Sequence, residues 1–163
     1  MKKLVTVGLC WAAMAAGQTK VSGTAKCDKP EAQHVLEVGD RAGHAVVLVK
    51  QSCTWTTPIE MEGVKGTTYT AVVTSDASGS KGQDRGYVVL MMANGDKAFV
   101  RFTGTSVSDK DGNPVSGEGT WSYTGGTGKL RGVTGKGTFK TKGGVEDMIE
   151  GEYSITPPAS KKK

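Results

Sequence analysis

Two histidines and three cysteines among 163 residues leave little material for a metal centre or a nucleophilic triad. His34, His44 and Cys53 match no compact ligand spacing, and no Ser-His-Asp or Cys-His set stands out. Neither a metal nor a cofactor is therefore expected. Long apolar runs are equally scarce. Leu4 to Ala16 is the longest, and it falls short of the roughly 20 residues that a transmembrane helix needs. Beyond it no segment sustains a 3.6-residue apolar period. Aromatic residues make up only 6% of the chain and are not interleaved with a basic face, which argues against nucleic-acid binding.

The apolar run follows Lys2 and Lys3 and ends in the small residues Ala13-Met14-Ala15-Ala16-Gly17. That tripartite order is the form of a secretory signal peptide, expected over residues 1–17. The other reading is a buried N-terminal helix. A lipoprotein signal fits less well, because Leu9 precedes Cys10 where a small residue is wanted. Export to a periplasm or to the medium would leave Cys27 and Cys53 as an even pair, which suggests one disulfide. Such a bridge contributes about 3 kcal/mol in the loop-closure model; the alternative is two buried thiols. Loss of Lys2 and Lys3 also lowers the net charge from +5 to +3. The remainder sits in Lys161, Lys162 and Lys163, after Pro157-Pro158, so residues 157–163 read as a disordered basic tail. The body, residues 18–156, is then about neutral.

That body reads as all-β. Runs rich in Val, Thr and aromatics alternate with Gly, Asn and Asp punctuation. Strands are expected over His34–Val38, His44–Ser52, Thr67–Thr74, Gly86–Met92, Lys97–Val107, Gly117–Tyr123, Leu130–Lys140 and Val145–Ile155. Asn94-Gly95 between two apolar runs predicts a type I′ hairpin. Asp109 to Pro114 is a second reversal, and Ser75–Asp84 reads as a longer, mobile loop. About eight strands joined mostly by hairpins suggest an up-and-down antiparallel barrel, whose closure removes exposed edges. A two-sheet β-sandwich is the alternative.

Half of the 24 glycines fall between Gly112 and Gly151, inside segments that otherwise look like strands. Parity places Gly117, Gly119, Trp121 and Tyr123 on one face, and Val133, Gly135, Gly137 and Phe139 on another. Bare backbone beside large rings is the pattern of a tapering barrel interior. The phrase Gly125-Gly126-Thr127-Gly128-Lys129 resembles a phosphate cradle only superficially. Counted as G-x-x-x-x-G-K-[ST], it puts Tyr123 at the first glycine and Leu130 at the magnesium-binding hydroxyl, and no helix follows. Nucleotide binding is not expected. Asp109-x-Asp111-x-Asn113 starts like a calcium loop, but Pro114 takes the turn-glycine position and Thr120 the bidentate glutamate position.

Tyr123-Thr124-Gly125-Gly126-Thr127-Gly128-Lys129-Leu130-Arg131-Gly132 resembles the GGTGxF(R/K)xxxG hairpin of allene oxide cyclase-like and dirigent-type barrels. Met92-Ala93-Asn94-Gly95-Asp96-Lys97 and Gly119-Thr120-Trp121 resemble small exported bacterial proteins of that kind, most of uncharacterised function. The resemblance covers roughly Gly86 to Tyr153 and implies an eight-stranded antiparallel barrel with an apolar cavity. Dirigent proteins continue the motif with a second arginine, where this chain has Thr134; Arg131 is retained. The fold is carried over, and the reaction is not.

Candidate ligand-binding groups are Trp55, Glu62, Tyr87, Arg101, Trp121, Tyr123, Arg131 and Tyr153, with Glu60 beside Glu62. Catalytic residues are not assigned. A glutamate buried beside aromatics could serve as acid or base; otherwise the rings are core and the charges lie on the outer wall. Arg101 shares a face with Phe99 and either meets an anionic partner or snorkels to solvent. Three functions are open: a non-enzymatic barrel binding a small apolar or amphipathic molecule, a cyclase or dirigent-like stereocontrol enzyme, and a packed structural envelope protein. The second requires a carboxylate or arginine pointing into the lumen, with Glu60, Glu62 and Arg101 as its candidates.

Overall fold

The computed structural model describes residues 17–156. The expected signal peptide, apart from Gly17, and the basic tail therefore lie outside the described residues. Ten strands form among the described residues: β1 (Thr19–Cys27), β2 (Ala32–Glu37), β3 (His44–Thr57), β4 (Glu60–Met61), β5 (Val64–Ser78), β6 (Lys81–Met92), β7 (Lys97–Ser108), β8 (Pro114–Gly126), β9 (Val133–Lys142) and β10 (Glu146–Ile155). Eight of them close into an antiparallel barrel in the order β1-β3-β5-β6-β7-β8-β9-β10 and back to β1. The closure rules out two separate sheets. β2 and β4 stand outside the ring, pairing with β3 and β5 respectively.

The count of eight agrees with the sequence reading, but its membership differs. The stretch expected as the first barrel strand is the outer β2, exposed on both faces. The ring instead takes Thr19–Cys27, a segment not expected to be a strand. Its inward side is Val21, Gly23, Ala25 and Cys27, so small that the alternation carries little hydrophobic signal. Gly23 has to be small: a Cβ there would lie 2.7 Å from Ile59 and 2.8 Å from the Trp55 ring.

The seam between β1 and β3 is short. Only Thr24↔Thr57, Ala25↔Trp55, Lys26↔Thr54 and Cys27↔Cys53 pair across it, with a register shift after Thr24. Cys27 and Cys53 are joined by a disulfide directly across that last pair, closing a separation of 26 residues. On the far side of β1 the pairing with β10 is continuous from Thr19↔Tyr153 to Lys26↔Glu146.

One end of the barrel is packed. Ile59 and Met61, on the segment that turns from β3 into β5, are 3% and 1% exposed and cap the rings of Trp55 and Tyr123. Pro58 begins this cap, where regular pairing has ended. Leu130, Met92, Ala98 and Val133 complete the plug. Toward the other end the inward side chains become smaller and the interior opens.

Two turns differ in detail from expectation. Asn94-Gly95 reverses the chain as expected, but Asn94 does not take positive φ. Met92 O accepts from Gly95 N–H at 2.9 Å and Gly95 lies at φ 85°. That is a three-residue hairpin with a bulge and not a type I′ turn. The loop expected over Ser75–Asp84 is almost entirely strand: β5 and β6 run on to the pair Ser78↔Lys81 and turn through Gly79-Ser80 alone.

Gly128 shows why the GGTGK phrase is built as it is. It sits at φ 52°, opening the short 3₁₀ turn Gly128–Leu130. Asp96, in the Asn94-Gly95 hairpin, accepts from Lys129 N–H at 3.0 Å, while Thr127 and Lys97 exchange two further bonds at 2.8 Å. A Cβ on Gly128 would overlap the Asp96 carboxylate at 1.7 Å. The phrase docks one turn on another and drives Leu130 into the plug. Gly128→Ala is expected to cost about 2 kcal/mol, from left-handed strain plus displacement of Asp96. Chemical denaturation measures it, and an unchanged midpoint would contradict the packing described.

Candidate functional site

The open half of the barrel encloses a cavity of about 1030 Å³. Its wall is largely apolar, with Val49, Val73, Val88, Val100, Phe102 and Ile149 contributed by five strands. Parity creates this wall, since each is two residues from another inward side chain. Trp55, Tyr69 and Trp121 form the floor, where Trp55 and Tyr69 lie tilted at 5.3 Å between ring centroids. Asp28, Gly79, Asp111 and Gly144 belong to the loops around the rim. A second depression of about 820 Å³ lies mainly over polar outer-wall residues such as Thr74, Arg85, Thr120 and Lys140. Its carboxylates and bases are mixed, and the lumen is the better defined site.

The ring of Trp121 lies across Gly137 and Gly151, which are directly paired on β9 and β10. Its indole N–H donates to Thr138 O at 3.1 Å, fixing the ring against bare backbone. Tyr123 packs edge-on to it at 5.0 Å, and Phe102 edge-on to Phe139 at 5.5 Å. The small-then-large pattern of β8 and β9 therefore faces inward.

The candidate residues divide between two places. Trp55, Trp121 and Tyr123 line the cavity at its floor, and Tyr153 is buried in the plug. The Tyr153 hydroxyl accepts from Glu62 N–H at 3.1 Å. Glu62 itself is exposed in the β4–β5 turn at φ 50°, with Glu60 exposed beside it. Tyr87 and Arg101 are paired on the outer wall, exposed, and Arg101 donates to Ser122 Oγ at 3.1 Å. Arg131 is exposed after the 3₁₀ turn. Parity explains this: Gly86 and Val88 point inward on β6, so Tyr87 between them points out. The three charged groups considered for chemistry, Glu60, Glu62 and Arg101, all lie outside the lumen.

Two other carboxylates lie inside. Asp147 on β10 accepts from the Tyr69 hydroxyl and, at 2.6 Å, from Thr141 Oγ1. Burial, then the adjacent Asp147 charge, push the Tyr69 phenol well above its usual range, so it stays protonated and donates. Burial likewise raises Tyr123, with a smaller contribution from Tyr153. Asp84 on β6 is the second; its Oδ1 is buried and has no hydrogen-bond partner among the described residues. Both were legible in principle. Parity counted back from Tyr153 through Gly151 and Ile149 reaches Asp147, and from Leu90 through Val88 and Gly86 reaches Asp84. The second was hidden because its segment reads as loop.

Cys27, Cys53 and Asp147 cluster closely enough to suggest metal ligands. The sulfurs are spent in the disulfide, which offers no thiolate. His44 is bonded to Asp40 and, at 2.9 Å, to Asp76 at the outer end of β3. It lies nine residues from Cys53 on one strand, about 30 Å away.

No family model and no curated protein matches the chain. Among solved structures it is similar to a conserved protein of unknown function, RPA1785, from Rhodopseudomonas palustris, with 10% identity and a TM-score of 0.46 over 85% of this chain and 99% of that one. Among the described residues no helix is long and apolar enough to cross a membrane.

Proposed function

We propose that the protein is an exported barrel of the allene oxide cyclase-like kind that binds a small amphipathic molecule in its lumen. One observation carries the reading: a cavity of about 1030 Å³, apolar along its walls and open at one end, above a packed aromatic floor. Ligand pockets for small molecules have this size and lining, with a few placed polar groups. A lumen of that volume speaks against a purely structural, packed barrel. The Cys27–Cys53 bridge is compatible with an oxidising compartment.

A stereocontrol enzyme is the weaker reading. Its candidate groups Glu60, Glu62 and Arg101 all lie outside the lumen, which removes the version that acts through them; the carboxylates inside are Asp84 and Asp147. Chemistry through shape alone would still need a bound intermediate, so binding is the property to test.

A thermal-shift screen of lipids and phenolics on the purified chain is expected to give compounds that raise Tm. A ligand at a hundredfold excess over its Kd stabilises by about 2.7 kcal/mol. Val88→Trp, placing an indole in mid-lumen between Ala71 and Val100, is expected to abolish those shifts while the β spectrum is retained. A screen in which nothing stabilises the wild-type chain would sink the proposal.

A further inference from the structure

β6 and β10 are four strands apart in either direction around the ring, so they face each other across the lumen. Each brings one carboxylate to the inner wall, and among the described residues only one of the two has hydrogen-bond donors. Asp147 is held by Tyr69 and Thr141. Asp84 Oδ1 is buried without a donor among the described residues. The cross-strand neighbours of Asp84 are Ser75 and Gly104, and the next inward residues on its own strand are Gly82 and Gly86. Asp84 lines the cavity, and it also borders the outer depression that Arg85 and Lys140 share.

Two aromatic rings flank it. Phe102 lies over Gly86, within 2.8 Å of where a Cβ would stand, and Phe139 lies over Gly104 at 2.9 Å. These rings form the edge-to-face pair already described. The bases near the cavity are Lys29 and Lys81, both exposed at the rim. A carboxylate oxygen withdrawn from water without a donor is costly. A protonated amine would supply charge-assisted hydrogen bonds and would be attracted to adjacent aromatic faces.

Resting on the lumen-binding reading above, we propose that the site selects amphipathic amines: the ammonium head pairs with Asp84 beside Phe102 and Phe139, and the apolar body lies along Val88 and Val100. An anionic head of the same length would be disfavoured at this position.

The test compares decylamine, decanol and decanoate, each below its micellar concentration, against the full chain by tryptophan fluorescence and thermal shift. The amine is expected to bind about tenfold more tightly than the alcohol, with the acid weakest. Asp84→Asn is expected to bring amine and alcohol to within about twofold of each other, chiefly by weakening the amine. Val88→Trp is expected to block all three, which separates lumen binding from adsorption of a cation on the surface. Circular dichroism confirms that both variants fold. Equal affinity for amine and alcohol in the wild-type chain, or an amine preference that survives Asp84→Asn, overturns the charge assignment and leaves lumen binding standing. If none of the three probes binds, lumen binding fails together with it.

Discussion

Gly151→Ala is expected to destabilise the barrel by about 3 kcal/mol, at the upper end of overpacking costs. A Cβ at this position would stand 2.4 Å from the Trp121 ring and 2.5 Å from Lys136 O. Gly137, its direct partner, is similarly placed: 2.5 Å from the same ring and 2.0 Å from Glu150 O. Neither obstacle yields easily. The carbonyls belong to the ladder, and the indole is anchored through its N–H to Thr138 O. Gly117 is the control, since a Cβ there meets nothing closer than 3.5 Å and its φ is ordinary. Gly117→Ala is expected to be neutral or to stabilise by up to about 1 kcal/mol, by restricting the unfolded chain. Urea denaturation of the three proteins separates these outcomes. Combining Gly151→Ala with Trp121→Leu should recover part of the loss, because the two residues share one contact. Equal midpoints for the Gly151 and Gly117 variants would refute the view that Trp121 needs bare backbone beneath it.

Replacing both Cys27 and Cys53 by alanine is expected to cost roughly 3 kcal/mol, the loop-closure value for a bridge of this span. The structure also says where the loss will be felt. Only four residue pairs join β1 to β3, and the bridge lies at the last of them, where the ring leaves β1 and the wall continues as the outer β2. Hydrogen exchange should therefore quicken first at Thr24 to Cys27 and at Cys53 to Thr57, while the run from β5 to β10 keeps its protection. A double variant with wild-type stability, or with exchange raised evenly around the barrel, would count against the seam as the weak point.

The inner wall from β8 to β9 was readable from sequence because strand parity is local. Alternation at Gly117, Gly119, Trp121 and Tyr123 needs no knowledge of the rest of the chain, and each faces inward or is buried. Alternation continued two residues past Gly86 reaches Asp84, but Ser75, Ser78, Gly79, Ser80 and Gly82 make the β5–β6 hairpin read as a loop. Tyr87 and Arg101 lie outward for the same parity reason. Residue type alone marks them as candidates, whereas the inward Gly86 and Val88 fix Tyr87 outward, and Tyr87 pairs with Arg101.

By itself the sequence determined an all-β chain, the antiparallel hairpins, the inward Gly/aromatic face, and a GGTGK phrase that is architectural. These depend on a two-residue period and on turn chemistry, both properties of neighbours along the chain. Tertiary structure alone decided the rest. It chose Thr19–Cys27 over the expected His34–Val38 as the eighth strand and put the expected Cys27–Cys53 bridge at the end of its seam with β3. It brought Tyr69 to Asp147 across 78 residues and left Asp84 Oδ1 buried without a donor among the described residues. Those relations follow from position around a closed ring, which is fixed only when the last strand meets the first.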